Sequence, residues 1–234
     1  MRKKPMYAVL ILVLLGACAA RQTGETVGIN RNEEATHRVD VEPFGRGAHG
    51  SAVVLNTSGY LLTCHHVAFK PDGTLRSMAI NIAVNGGKPK LYPARIVADD
   101  VEDDLTVIKI EYHFRQAVVL GDDADVRMLD AVYNIGFPFD MGETGSFGHV
   151  KDPDVRDETR YQLRRALLLE IQNGSGTSGS GIFLVRDGVL VGLMDEYRMY
   201  GAIDEARTVV HVAVPVSLIR AFLDRERIPY LTAR

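Results

Sequence analysis

The strongest constraint on this chain is a rhythm of short apolar runs broken by turn residues, sustained from Ser51 to Val214. Its clearest unit is Ser51-Ala52-Val53-Val54-Leu55, then Asn56-Thr57-Ser58-Gly59, then Tyr60-Leu61-Leu62-Thr63. Two apolar runs around such a cluster read as a β-hairpin, because Asn, Ser and Gly favour the backbone angles that reverse a chain. Further strands are expected at Ala94 to Val97, Leu105 to Ile110, Ala131 to Ile135, Gly181 to Val185, Val189 to Met194 and Val209 to Val214. Many short strands at close spacing predict an all-β barrel or sandwich. One helix is expected near the end, where Leu218, Ile219, Phe222 and Leu223 share a face, with Ser217 placed to cap it and Pro229 beyond its end.

At 234 residues and 46% hydrophobic composition, the chain can form one substantial domain or two small halves sharing a cleft. A net charge of −3 offers no basic field for nucleic acid. Two cysteines, Cys18 and Cys64, cannot build a disulfide framework, so stability must come from a hydrophobic core. Arg2, Lys3 and Lys4 followed by the apolar run Tyr7 to Leu15 predict a secretory signal, the run being short for a permanent span. Leu15-Gly16-Ala17-Cys18 resembles the bacterial lipobox. That resemblance implies removal of residues 1–17, a lipid anchor on Cys18 and, with Ala19 next, sorting to the outer membrane on its periplasmic side. Residues 18–40 are polar and lack a period, so a tether is expected there and the folded domain over 41–234.

The segment most loaded with chemistry is Asn173-Gly174-Ser175-Gly176-Thr177-Ser178-Gly179-Ser180-Gly181, ahead of Ile182-Phe183-Leu184-Val185. A flexible linker fits the composition but not the position between two core strands. A phosphate loop fails because neither a Lys nor a long helix follows the glycines. A serine nucleophile fits: its hydroxyl must stand on a tight turn, with backbone N–H groups converging on the oxygen that becomes negative.

Such a hydroxyl needs a base, and histidine suits neutral pH. Of seven histidines, His37 falls in the expected tether, and His49, His113, His149 and His211 lack a supporting pattern. His65 and His66 lie in Thr63-Cys64-His65-His66-Val67, directly after the hairpin. Adjacent strand residues point to opposite faces and no second Cys/His cluster is visible, so no metal and no cofactor are expected; Cys64 reads as a small buried hydrophobe. In the acidic cluster Asp99, Asp100, Glu102, Asp103 and Asp104, the last differs by opening the apolar strand Leu105 to Ile110.

These segments resemble the chymotrypsin clan of serine peptidases. Gly176-Thr177-Ser178-Gly179 is similar to its Gly-x-Ser-Gly core, Thr63 to Val67 to its Thr-x-x-His-Val, and Asp104-Leu105-Thr106-Val107 to its Asp-Leu-Ala-Val; the order His, Asp, Ser is also that clan's. The resemblance implies Ser178 as nucleophile, the N–H groups of Gly176 and Ser178 as oxyanion hole, His66 as base and Asp104 as its orienting acid. His65 and Asp103 are the rivals one register away. Within the clan the chain looks like the HtrA/DegP-like peptidases, through Gly50 to Val54, Asn134-Ile135-Gly136-Phe137-Pro138, Val191-Gly192-Leu193 and Val212-Ala213-Val214-Pro215. The likeness runs from Val41 to Pro229 and implies a chymotrypsin-like fold, two six-stranded β-barrels with the active site between them and a C-terminal helix.

By the same resemblance, Gln172 and Leu193 belong to the specificity pocket, and Gln172 argues against a trypsin-like preference. The chain departs from the pattern at Ser180-Gly181, where Gly and Pro are usual, and over the charged stretch Gly145 to Arg165. It also ends at Arg234 without the PDZ domain that usually follows, so control by such a domain is not expected. The expected function is a serine endopeptidase that cuts extracytoplasmic proteins or peptides through an acyl-enzyme. The alternatives are a catalytically inactive lipoprotein that keeps the fold as a binding or scaffold module, and an esterase using the same site, separable by comparing ester and amide substrates.

Overall fold

The structure is a computed structural model that describes residues 27–42, 48–82, 89–157, 164–200 and 208–233. The expected signal, Cys18 and the first part of the tether lie outside them. The hairpin at Ser51 to Thr63 forms as β2 (His49–Asn56) and β3 (Tyr60–Cys64). With β1 (Thr36–Val41), β4 (Met78–Ile82), β5 (Lys90–Asp100) and β6 (Leu105–Lys109) it closes a barrel in the order β1-β2-β3-β6-β5-β4.

The second barrel repeats that order. β8 (Ala131–Gly136), β9 (Thr144–Asp157), β10 (Arg164–Ile171), β11 (Gly181–Leu184), β12 (Leu190–Tyr200) and β13 (Thr208–Pro215) run β11-β8-β9-β10-β13-β12, and a pairing of β11 with β12 closes the ring. β7 (Val119–Leu120) and β14 (Leu231–Thr232) add short parallel pairings beyond β12. The fold is the chymotrypsin-like double barrel. Closure removes free sheet edges, so a chain this rich in strands avoids edge-to-edge association.

Alternating strand residues fill the barrels. Val53, Leu62, Ile80 and Val107 are buried in the first, in one apolar cluster with Phe183, Leu193 and Val214 of the second. Val132, Leu167, Leu169, Ile182 and Leu184 form a further cluster inside the second barrel. Each such side chain contributes about 1.5–3 kcal/mol on burial. The terminal helix α3 (Val216–Arg225) lays Val216, Ile219, Phe222 and Leu223 onto the first of these clusters.

Two expectations need correction. The folded region begins before Val41: residues 27–34 form a helix, α1, and Thr36–Val41 is a full barrel strand paired with β2 and β4. The segment looked like a tether because its few core residues, Ala35, Val39 and Val41, are scattered among polar ones that hydrogen bonds satisfy only in the folded chain. Asn32 Nδ2 donates to Tyr133 Oη at 2.7 Å and to the Gly188 carbonyl at 2.8 Å, while the Thr36 hydroxyl donates to the Asn32 carbonyl at 2.7 Å. His37 accordingly belongs to the barrel, its ring stacked on Phe114 at 5.0 Å. Ser217 does not cap the helix: the cap position falls two residues earlier, at Pro215, with no side-chain cap. The charged stretch that departs from the family pattern is also built into the barrel, residues 145–157 forming most of β9 and 164–165 the start of β10, paired with each other.

Candidate active site

β3 ends at Cys64 and the chain turns at once into a single helical turn, α2 (His65–Ala68). The four-residue turn before β6 brings Asp104 back against it, since Cys64 and Leu105 are register partners across β3 and β6. Asp104 sits in the left-handed region, φ 53°, a conformation costing on the order of 1–3 kcal/mol that persists only where surroundings fix it. Here they do. Its carbonyl accepts from the His65 N–H at 3.0 Å, Oδ1 from the His66 N–H at 2.9 Å, and Oδ2 lies 2.7 Å from His66 Nδ1. A carboxylate at Nδ1 fixes the tautomer with the proton there, so that Nε2 is the basic nitrogen.

Burial alone would raise the Asp104 carboxyl, but the hydrogen bond and charge of His66 outweigh it and bring it down to about 2. The aspartate is therefore ionised at neutral pH. His65 turns the other way, with Nδ1 2.9 Å from Asp99 Oδ1 and its ring stacked on Phe69 at 4.5 Å. Asp103 donates its N–H to Asp100 and closes the turn. Of the two rival pairs in the sequence, the structure brings together His66 and Asp104.

The nucleophile loop joins β10 to β11. Gly176 (φ 101°) and Gly179 (φ 86°) adopt angles open to glycine, and a Cβ on Gly176 would collide with His49 Nε2 and the Phe137 carbonyl. The N–H groups of Thr177 and Ser180 close turns onto Gly174 and Thr177. Those of Gly176 and Ser178 make no hydrogen bond among the described residues, as an oxyanion hole requires. The Ser178 hydroxyl donates to the Asp195 carbonyl at 3.1 Å. To hand its proton to His66 it must rotate away from that acceptor.

The first barrel also supports this loop. Ser51 donates its hydroxyl to the Gly176 carbonyl at 2.9 Å, and its N–H to the Ser178 carbonyl at 2.8 Å. His49 Nε2 donates to the Phe137 carbonyl at 2.7 Å, and its Nδ1 faces Asp140, which Arg38 grips at 2.7 Å. Arg38 and His49 carried no motif in the sequence. Nor did Asp195, which is buried on β12 with Oδ1 3.8 Å from His66 Nδ1.

Ligand atoms of Cys64, His66, Asp104 and Asp195 all lie within 4.8 Å of one another. Two ligands on one zinc stand about 3.3 Å apart at tetrahedral bond lengths. The 2.7 Å contact of His66 with Asp104 is shorter than that, and Cys64 Sγ donates to the Met194 carbonyl at 3.2 Å, so the group is bound by hydrogen bonds. Leu193, expected in the specificity pocket, is fully buried in the core and lines no open surface. Gln172 is exposed, on a groove shared with Phe147, His149 and Glu170.

A His–Asp pair on one barrel and a glycine-flanked serine on the other, each in contact with Asp195, now meet an independent finding: residues 50–193 match the trypsin-like peptidase domain family, well over half of the chain. The chain belongs to that family. It is 27% identical over 186 residues to a probable periplasmic serine endoprotease, DegP-like, of Marinomonas sp. (strain MWYL1), covering 74% of this chain and 38% of the relative. It is 26% identical over 146 residues to the periplasmic pH-dependent serine endoprotease DegQ of Escherichia coli (strain K12), covering 62% and 30%. The chain thus spans only about a third of the length of these curated relatives. Among solved structures, the HtrA-type protease AlgW with a decapeptide superposes with a TM-score of 0.67 at 22% identity, over 87% of this chain and 67% of that one. Deg5 does so at 0.68 and 21%, over 91% and 97%. At such identities the superpositions speak for the fold.

Proposed function

We propose that this trypsin-like domain is a serine endopeptidase that hydrolyses peptide bonds in proteins of the bacterial cell envelope. The observation that carries the reading is the doubly anchored Asp104 holding His66 Nδ1 at 2.7 Å. In the proposed cycle Ser178 Oγ attacks the peptide carbonyl as its proton passes to His66 Nε2. The N–H groups of Gly176 and Ser178 receive the developing oxyanion, and His66 returns the proton to the leaving amine. Water then cleaves the Ser178 ester with the same base. The periplasmic relatives and the signal-like start support an envelope location, and the lipobox-like Leu15 to Cys18 supports an anchor on Cys18 at the outer membrane.

One observation favours a second reading, a binding or scaffold module: the Ser178 hydroxyl is engaged by the Asp195 carbonyl. Incubation with an unfolded protein substrate separates the two. The peptidase reading expects cleavage by the wild type and none by Ser178→Ala; equal turnover by the two proteins refutes it, and a wild type that binds without cutting supports the scaffold.

A further inference from the structure

The site holds one carboxyl more than the cycle above uses. β12 and β13 pair in register at Met194 with Ala213 and again at Glu196 with Val212, so Asp195 is the extra residue of a β-bulge. Bulges re-aim a side chain out of the alternating pattern. This one lets Asp195 touch all three members of the candidate triad. Its carbonyl accepts from Ser178 at 3.1 Å, its Oδ1 lies 3.8 Å from His66 Nδ1, and a carboxyl oxygen lies within 4.8 Å of one of Asp104, both carboxyls being buried.

Two ionised carboxylates cannot hydrogen bond to each other, since neither has a proton to donate. Like charges packed this closely leave one group protonated. Geometry says which. Both oxygens of Asp104 already accept from N–H donors of His66, the arrangement of an ionised acceptor. The donor is then Asp195. Facing its carboxyl are His66 from α2, Asp104 from the turn before β6 and the Cys64 thiol from β3, with the Ser178 hydroxyl at its own carbonyl and Glu196 next on its own strand.

We propose that Asp195 is a positioning residue, kept as the neutral acid at neutral pH, which donates its carboxyl proton to Asp104 so that His66 is held by a carboxyl pair sharing one proton. Loss of that proton on the alkaline side sets two anions against each other beneath the imidazole and loosens its orientation. The proposal rests on the peptidase reading for its kinetic consequence and not for the proton itself.

Asp195→Asn is the decisive variant, because its amide keeps the shape and a permanent N–H donor while removing the ionisation. Fluorophosphonate labelling rates across pH are expected to fall above neutrality in the wild type and to stay level in Asp195→Asn. Asp195→Val, which lacks the donor, should be slower by about tenfold or more, the worth of one hydrogen bond to a charged group. An alkaline fall unchanged in Asp195→Asn, or an Asn variant as slow as Val at neutral pH, overturns the proposal. Difference infrared spectra between Ser178→Ala and Ser178→Ala/Asp195→Asn give a readout independent of activity. A protonated-carboxyl band lost with Asp195 supports the shared proton even in a protein that never labels. No such band, or stoichiometric zinc in the purified protein bridging the carboxyls, overturns it.

Discussion

In the first barrel the connection between the third and fourth strands carries His66, and in the second the equivalent connection, β10 to β11, carries Ser178. The strand order is shared, yet the two connections are built in opposite ways. The first is a helical turn fixed by neighbours, with Asp104 spending its carbonyl and both carboxyl oxygens on His65 and His66. The second is an open glycine-rich turn whose Gly176 and Ser178 N–H groups are left unengaged among the described residues. A base must be held in one tautomer and one direction, whereas a nucleophile needs room for substrate and bare donors around it. One topology serves both needs because closure of each barrel fixes the ends of these connections and leaves their interiors to the local sequence.

The sharpest way to break this contrast is Asp104→Asn. It keeps the shape but can place the wrong tautomer on His66, and labelling of Ser178 should slow by about 10⁴-fold; a near-normal rate would mean the histidine needs no fixing. Gly176→Ala attacks the other half. The new Cβ meets His49 and the Phe137 carbonyl, displacing an oxyanion donor, for an expected loss of about 10²–10³ in acylation. If alanine is tolerated there, the turn is not the bare, glycine-dependent structure described above.

A third prediction concerns stability of the first barrel. Burial pushes the His37 imidazole down to about 4 from 6.5, so the unfolded chain binds its proton first as pH falls. The stabilisation is complete above 6.5 and is lost between 6.5 and 4, on the order of 3 kcal/mol. Urea denaturation at pH 7 and pH 4.5 should show this loss and its near absence in His37→Phe. The smallest effect is expected from His65→Ala, which breaks the Asp99 pair outside the cleft and should leave labelling near the wild-type rate. A large loss would reopen the choice between adjacent histidines.

What the sequence makes legible follows from how each part is held. β2, β3, β6, β8 and β11 to β13 show as apolar runs between turn residues because their side chains face a core. β1 does not, since its buried Thr36 and Asp40 are satisfied by hydrogen bonds and ion pairs, as Asp40 is by Arg38 and Asn81, which only the folded chain reveals. β9 escapes for a related reason: much of it is exposed and charged, so burial leaves little imprint on it. At the site, Ser178, His66 and Asp104 could be named because each lies in a local segment with its own pattern. Asp195, His49 and Arg38 could not, for their roles come from contacts across 88 to 129 residues of chain, as with His49 and Phe137, Arg38 and Asp140, or Asp195 and His66.

The central claim is that His66 activates Ser178. Intact-mass analysis of the protein after fluorophosphonate treatment tests it most directly. The account predicts one adduct per chain, mapped to Ser178 and absent from both Ser178→Ala and His66→Ala. Folded wild-type protein that takes up no adduct, or His66→Ala that labels as readily as wild type, would contradict it.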